Sequence, residues 1–123
     1  MLRGLEDTIM AGTRAPLIAT TTPSVALYIL NNKRPFINAE PGGTPDGFRV
    51  DVDGNLWCGW GMGSAELDGV RIFNPQGAPI GHISLPERAA NVCFGGPKRN
   101  RLFMAACHSI YALYVNTQGA PGG

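Results

Sequence analysis

The stretch Phe48-Arg49-Val50-Asp51-Val52-Asp53 alternates apolar and polar side chains at period two. That alternation predicts a strand with one buried face. Asp53-Gly54-Asn55 follows, and Asp-Gly supplies the positive-φ positions of a tight hairpin. Leu56-Trp57-Cys58 begins the return strand. After a glycine-rich loop, Val70-Arg71-Ile72-Phe73 reads as a third strand, Asn74-Pro75-Gln76-Gly77 as a turn, and Pro79 to Ile83 as a fourth strand. The four make an antiparallel meander of roughly 40 residues, the size of one propeller blade.

The pattern then recurs. Ala90 to Phe94, Arg101 to Ala106 and Ser109 to Val115 are strands, with a turn from Gly95 to Asn100. Phe73-Asn74-Pro75-Gln76-Gly77 and Val115-Asn116-Thr117-Gln118-Gly119 share the form apolar-Asn-x-Gln-Gly, about 40–45 residues apart. Val25 to Ile29, through Arg34 to Ile37, matches the outer half of an earlier copy. Residues 1–23 stand apart. Leu2, Leu5, Ile9 and Met10 outline a weak helical stripe interrupted by Gly4, Gly12 and Pro16, and Thr20 to Pro23 reads as a loop. The chain therefore divides into 1–23 and a repeat region, 24–123. The fold class expected is all-β: roughly two to two and a half propeller blades. Closed propellers need at least about four blades. The expectation is thus an incomplete ring, with a small β-sandwich as the alternative.

Composition sharpens this picture. The chain has 123 residues with 17 Gly and 10 Pro, an excess that suits short strands and tight turns rather than long helices. Ten Lys and Arg against nine Asp and Glu give a net charge of +1, which offers no electrostatic footprint for nucleic acid or an anionic membrane. No run approaches the roughly 18 apolar residues of a membrane span, and the N-terminal stretch lacks the apolar core of a secretory signal. Cys58, Cys93 and Cys107 form no CxxC or Cys/His metal spacing. They read as reduced thiols, and the location expected is cytoplasmic.

Thr44-Pro45-Asp46-Gly47-Phe48-Arg49-Val50-Asp51-Val52-Asp53-Gly54-Asn55-Leu56-Trp57 resembles the family of gluconolactonases and senescence marker protein 30, the SMP-30/gluconolactonase/LRE-like group. So do Leu67 to Gly77, Leu85-Pro86-Glu87-Arg88, Asn91-Val92-Cys93-Phe94-Gly95-Gly96 and Leu102-Phe103-Met104-Ala105-Ala106. The similarity is ordered and covers roughly residues 25–119. It implies a six-bladed β-propeller and hydrolysis of a sugar lactone dependent on a divalent metal, usually calcium. It makes this chain a C-terminal part of such an enzyme. The family's metal ligands are a Glu of the first blade, the Asn of a Pro-Asn-Gly motif, and the Asp of Pro-Asp-Gly. Only the last has a counterpart here, Asp46. Residues 1–23, where Pro-Asn-Gly belongs, do not match. The chain alone is therefore expected to be inactive.

By the resemblance Asp46 is a metal ligand and a candidate general base; by the residues alone it is a carboxylate projecting from a strand end or an ordinary turn aspartate. The hairpin topology places the loop Gly59 to Asp68 at the same end as Asp46. That loop carries Trp60, Met62, Glu66 and Asp68, and its glycines suggest a mobile rim. Trp60 either stacks on a sugar or covers the interface between blades. Asn91 starts the next inner strand at the level of Asp46, either binding substrate or capping a turn. His108 reads as an exposed loop histidine or a base at the same end, and His82 as solvated. Three readings remain: a metal-dependent lactonase, a non-catalytic propeller fragment or interaction module, and an esterase relative. A serine mechanism is disfavoured, because no Gly-x-Ser-x-Gly occurs. The partners expected are a small sugar lactone and a second copy of the chain, meeting through open blade faces.

Overall fold

The computed structural model describes residues 8–16 and 28–122, and within them every regular element is a strand. Strands β1 (Thr8–Pro16) and β2 (Tyr28–Asn38) pair antiparallel. Strands β3 (Phe48–Val50), β4 (Leu56–Trp60), β5 (Gly69–Phe73) and β6 (Pro79–Ser84) form a four-stranded meander in sequence order. Strands β7 (Ala89–Gly95), β8 (Arg101–Ala106) and β9 (Ile110–Tyr114) form a three-stranded one. The architecture is all-β, built of blade-like antiparallel sheets.

Two expectations need correcting. Ile9 and Met10 belong to strand β1, not to a helical stripe, because the β2 backbone offers them a ladder. The strand expected over Phe48 to Asp53 stops at Val50, because Asp51 turns to close the hairpin. The Leu2, Leu5 and Thr20–Pro23 assignments lie outside the described residues.

Strand β4 is buried along its whole length because both of its faces are covered. Leu56, Cys58, Trp60 and Phe73 point to one side and pack with Ile37 of β2. Trp57 and Val70 point to the other and pack with Ala89, Val92, Phe94, Leu102 and Met104 of the three-stranded sheet. There Trp57 meets Phe94 edge to face, with ring centroids 5.5 Å apart. Fully burying a Val, Leu or Phe side chain contributes about 1.5–3 kcal/mol, so this seam sets how the two larger sheets sit together.

The repeated apolar-Asn-x-Gln-Gly segment has two fates. After Phe73 it turns. Asn74 Oδ1 accepts from the backbone N–H of Gln76 (3.0 Å) and Ala78 (2.9 Å), Gly77 takes φ +82°, and the chain enters β6. After Val115 the chain crosses to the inner strand instead. Gly119 bridges Asp51, the Val52 N–H donates to Gln118 O and the Ala120 N–H to Val50 O, both at 2.9 Å. A Cβ on Gly119 would lie 2.5 Å from Phe94 Cβ, so glycine is what admits this crossing.

Two apolar surfaces stay open. Phe48 and Val50 on β3 are exposed, and Ile110 and Tyr114 on β9 are 77% and 72% exposed.

Candidate functional site

Asp46 precedes β3 and is held by its backbone. Its N–H donates to Gly59 O (2.9 Å), and Gly59 N–H donates back to Gly47 O (2.9 Å). Gly47 N–H then donates to Ala90 O (2.8 Å), which ties this corner to the neighbouring sheet. The approach needs glycine at both contacts. A Cβ on Gly47 would meet Asn91 Oδ1 at 2.2 Å, and one on Gly59 would meet Ala89 O at 2.5 Å. Pro45 leaves no N–H to draw the segment into the ladder. The result is an exposed Asp46 on a fixed corner, with Asn91 packed against the adjacent Gly47 across the junction of two sheets.

Asn91 is exposed, and its Oδ1 accepts from the Val92 N–H at 2.9 Å. The oxygen thus caps the entry to β7, where the register shifts between Ala89 and Asn91. The amide nitrogen is what remains to face a ligand. Capping and ligand binding are therefore compatible at this residue.

Trp60 is not at this mouth, and its assignment to a sugar-stacking rim is corrected. It is 2% exposed and lies in the cluster of Ile37, Leu56, Cys58 and Phe73. The reason is period two: Leu56, Cys58 and Trp60 share the face of β4 turned to β2. Its indole packs on Phe73, centroids 5.5 Å apart, and lines a cavity of about 190 Å³ with Phe36 and the ion-paired Glu40 and Arg71.

The rim loop is also more closed than its glycines suggest. Asp68 is buried; its Oδ1 accepts from Gly63 N–H (2.8 Å) and its own N–H donates to Ser64 O (2.8 Å). Asp68 therefore shapes the loop, while Met62 and Glu66 stay exposed. His82 is half-buried rather than solvated, and its Nε2 meets no hydrogen-bond partner among the described residues.

Sequence reasoning missed Asp51. It is 2% exposed, and its carboxylate accepts from the N–H of Asp53 (3.0 Å) and Asn55 (2.8 Å), from Asn55 Nδ2 (3.0 Å) and from Trp57 Nε1 (2.9 Å). Burial pushes its carboxyl up, but the bonds from Asn55, Trp57 and Asp53 outweigh that and hold it below the ordinary range. Asp51 occupies an apparently outward position of the period-two pattern, so only the turn chemistry of Asp-x-x-Gly-Asn could have flagged it. Cys58, fully buried behind the corner, donates from Sγ to Gly59 O (3.3 Å), and burial pushes its thiol up to about 11.

Cys107-His108 stands at the turn between β8 and β9. Glu87 Oε2 lies 2.8 Å from the His108 N–H and 3.0 Å from its Nδ1, and Glu87 Oε1 accepts from the Tyr111 hydroxyl at 3.1 Å. Glu87 therefore joins the crossing between the two larger sheets to the next turn.

A hard divalent cation takes about 6–8 oxygens, several of them carboxylate. Among the described residues no three His, Cys, Asp or Glu side chains converge on one point. Asp46 offers one carboxylate, and by themselves these residues do not fit a metal centre.

A stack of small antiparallel sheets, each running in sequence order, defines a propeller-type scaffold. The SMP-30/Gluconolactonase/LRE-like region description matches residues 9–108, and the chain belongs to that family. The match starts inside the segment that the sequence reading set apart, consistent with strand β1. A gluconolactonase of Zymomonas mobilis is 29% identical over 98 residues, covering 79% of this chain and 26% of that protein. An X-ray structure from the gluconolactonase family superposes with a TM-score of 0.61 at 28% identity, over 88% of this chain and 33% of the other. A gluconolactonase of Xanthomonas campestris superposes with a TM-score of 0.59 at 30% identity, over 76% and 31%. This chain thus spans about a quarter to a third of the relatives it matches.

Proposed function

We propose that this chain serves the hydrolysis of a sugar lactone, with Asp46 as its chemically active residue. The observation that carries the reading is the corner itself: an exposed aspartate on a backbone clamped to two sheets, with Asn91 against the neighbouring Gly47. In this reading Asp46 takes a proton from water as the water oxygen bonds to the lactone carbonyl carbon. The ring C–O bond breaks, the ring oxygen takes a proton, and the product is the open hydroxy acid. The Asn91 amide donates to a substrate oxygen. Asp46 would supply one oxygen to a divalent cation such as calcium, and the chemistry that ion would add is polarisation of a carbonyl. The remaining oxygens would come from polypeptide beyond the described residues.

The test is acid release from glucono-δ-lactone, with and without calcium. The chain alone should release none above buffer. Co-expressed with the remaining sheets of a relative, it should restore hydrolysis, and Asp46→Ala should lower that rate by about 10²–10⁴-fold. Undiminished turnover in Asp46→Ala would defeat the reading.

The lone carboxylate favours a second reading, a non-catalytic module. Calorimetry separates the two: micromolar calcium binding by the 123-residue chain contradicts a catalytically empty piece. The open surfaces at Phe48 and Val50 and at Ile110 and Tyr114 also support association with a second copy. A monomeric species in sedimentation at micromolar concentration contradicts that.

A further inference from the structure

On the face that holds the Asp46 corner lies a cavity of about 380 Å³, within the range of small-molecule sites. Its walls are Met62 and Gly63 of the rim loop, Glu87 and Arg88 of the crossing between sheets, and Cys107 and His108 of the β8–β9 turn. Its acids are already engaged: Asp68 holds Gly63, and Glu87 holds His108 and Tyr111. His108 is therefore the feature without an internal explanation. An exposed turn histidine normally samples many rotamers, yet this one is fixed at both its backbone N–H and its Nδ1 by one carboxylate. That carboxylate is itself anchored by Tyr111 from β9. In the neutral ring, a carboxylate that accepts from Nδ1–H leaves the lone pair on Nε2. The side chain is 89% exposed, so that lone pair is open to a ligand.

We propose that His108, positioned by Glu87, is a specificity residue at this rim: its Nε2 accepts a hydrogen bond from a hydroxyl of a polyhydroxylated ligand. Arg88, exposed on the same wall, donates to a neighbouring oxygen of that ligand, and Met62 covers its C–H face. The sugar chemistry of the ligand rests on the lactone reading above. The placement of His108 does not, and neither does the binding measurement.

The test follows the imidazole signals of His108 and His82 by NMR in the full 123-residue chain. The probes are sodium gluconate and neutral sorbitol, with sodium acetate as the charge control. Gluconate and sorbitol should move the His108 ring saturably, leave His82 in place, and find no counterpart in acetate. Glu87→Gln should weaken both by about three- to tenfold, the worth of one positioned hydrogen bond. Tyr111→Phe, which leaves Glu87 on His108, should weaken them by less. A His108 ring that ignores both polyols overturns the proposal. So does one that responds equally to acetate, or unchanged in Glu87→Gln. Saturable binding with no lactone turnover in the completed assembly would sink the lactonase reading and leave this one standing. Turnover with a silent His108 would do the reverse.

Discussion

Asp46 and Asp51 flank the same three-residue strand, and they do opposite things. Asp51 is buried under four donors and fastens the lower hairpin to Trp57. Asp46 is exposed, fixed only through its backbone, and among the described residues its carboxylate takes no hydrogen bond. A carboxylate whose lone pairs are all taken stabilises a fold. One that is held in place with its lone pairs free can do chemistry. The comparison gives a physical criterion for choosing between acids that look alike in sequence.

The sharpest way to break the comparison is to remove the lower acid. Asp51→Ala leaves the Trp57 indole N–H and two turn N–H groups without acceptors and should cost about 2–4 kcal/mol in urea unfolding. Asp46→Ala should change stability by no more than about 0.5 kcal/mol in the same experiment. A large loss at Asp46 would show that its carboxylate has a structural partner.

Next in size is the corner that carries Asp46. A methyl group at position 47 collides with Asn91 Oδ1 and Ala90 O, so Gly47→Ala should cost about 1–3 kcal/mol. It should also shift the Asn91 side-chain amide resonances. Unchanged amide signals would mean that the two sheets do not meet as described.

Acid titration probes the same pair more gently. The Asp51 carboxyl is held below its ordinary value of 3.8 in the folded chain, so its stabilising effect is fully present above that pH. It is lost as pH falls through the lowered folded value. Thermal midpoints should therefore drop on acidification below about pH 4, and drop less in Asp51→Asn. An identical acid profile in that variant would remove Asp51 from the account.

The smallest effect is a labelling pattern. Cys58 is buried behind the Asp46 corner with its thiol pushed up to about 11, whereas Cys93 and Cys107 are exposed. Iodoacetamide at pH 8 should modify Cys93 and Cys107 in the native chain and leave Cys58 until denaturant is added, read by peptide mass. Early labelling of Cys58 would mean that the corner opens.

Much of the scaffold was legible in the chain. Alternation at Phe48–Val50, the Asp53-Gly54 turn and the repeated apolar-Asn-x-Gln-Gly segment are local signals, and local backbone chemistry acts on them directly. Asp46 stood out through its Pro-Asp-Gly setting, and the residue is exposed just ahead of β3. Asp51 was not, since an aspartate at an outward position of an alternating strand looks solvated until the turn and Trp57 close over it.

The strands and turns from Phe48 to Val115 were written in the sequence, because period, turn residues and proline act over a few neighbours. Whether Trp60 faced a ligand or a core, whether His108 hung free or was gripped by Glu87, and where the chain went after Val115 were settled by tertiary structure. Each depends on a partner that is distant along the chain: β2 for Trp60, the crossing segment for His108, β3 for Gly119. Contacts of that kind arise only when sheets pack, and no local pattern carries them.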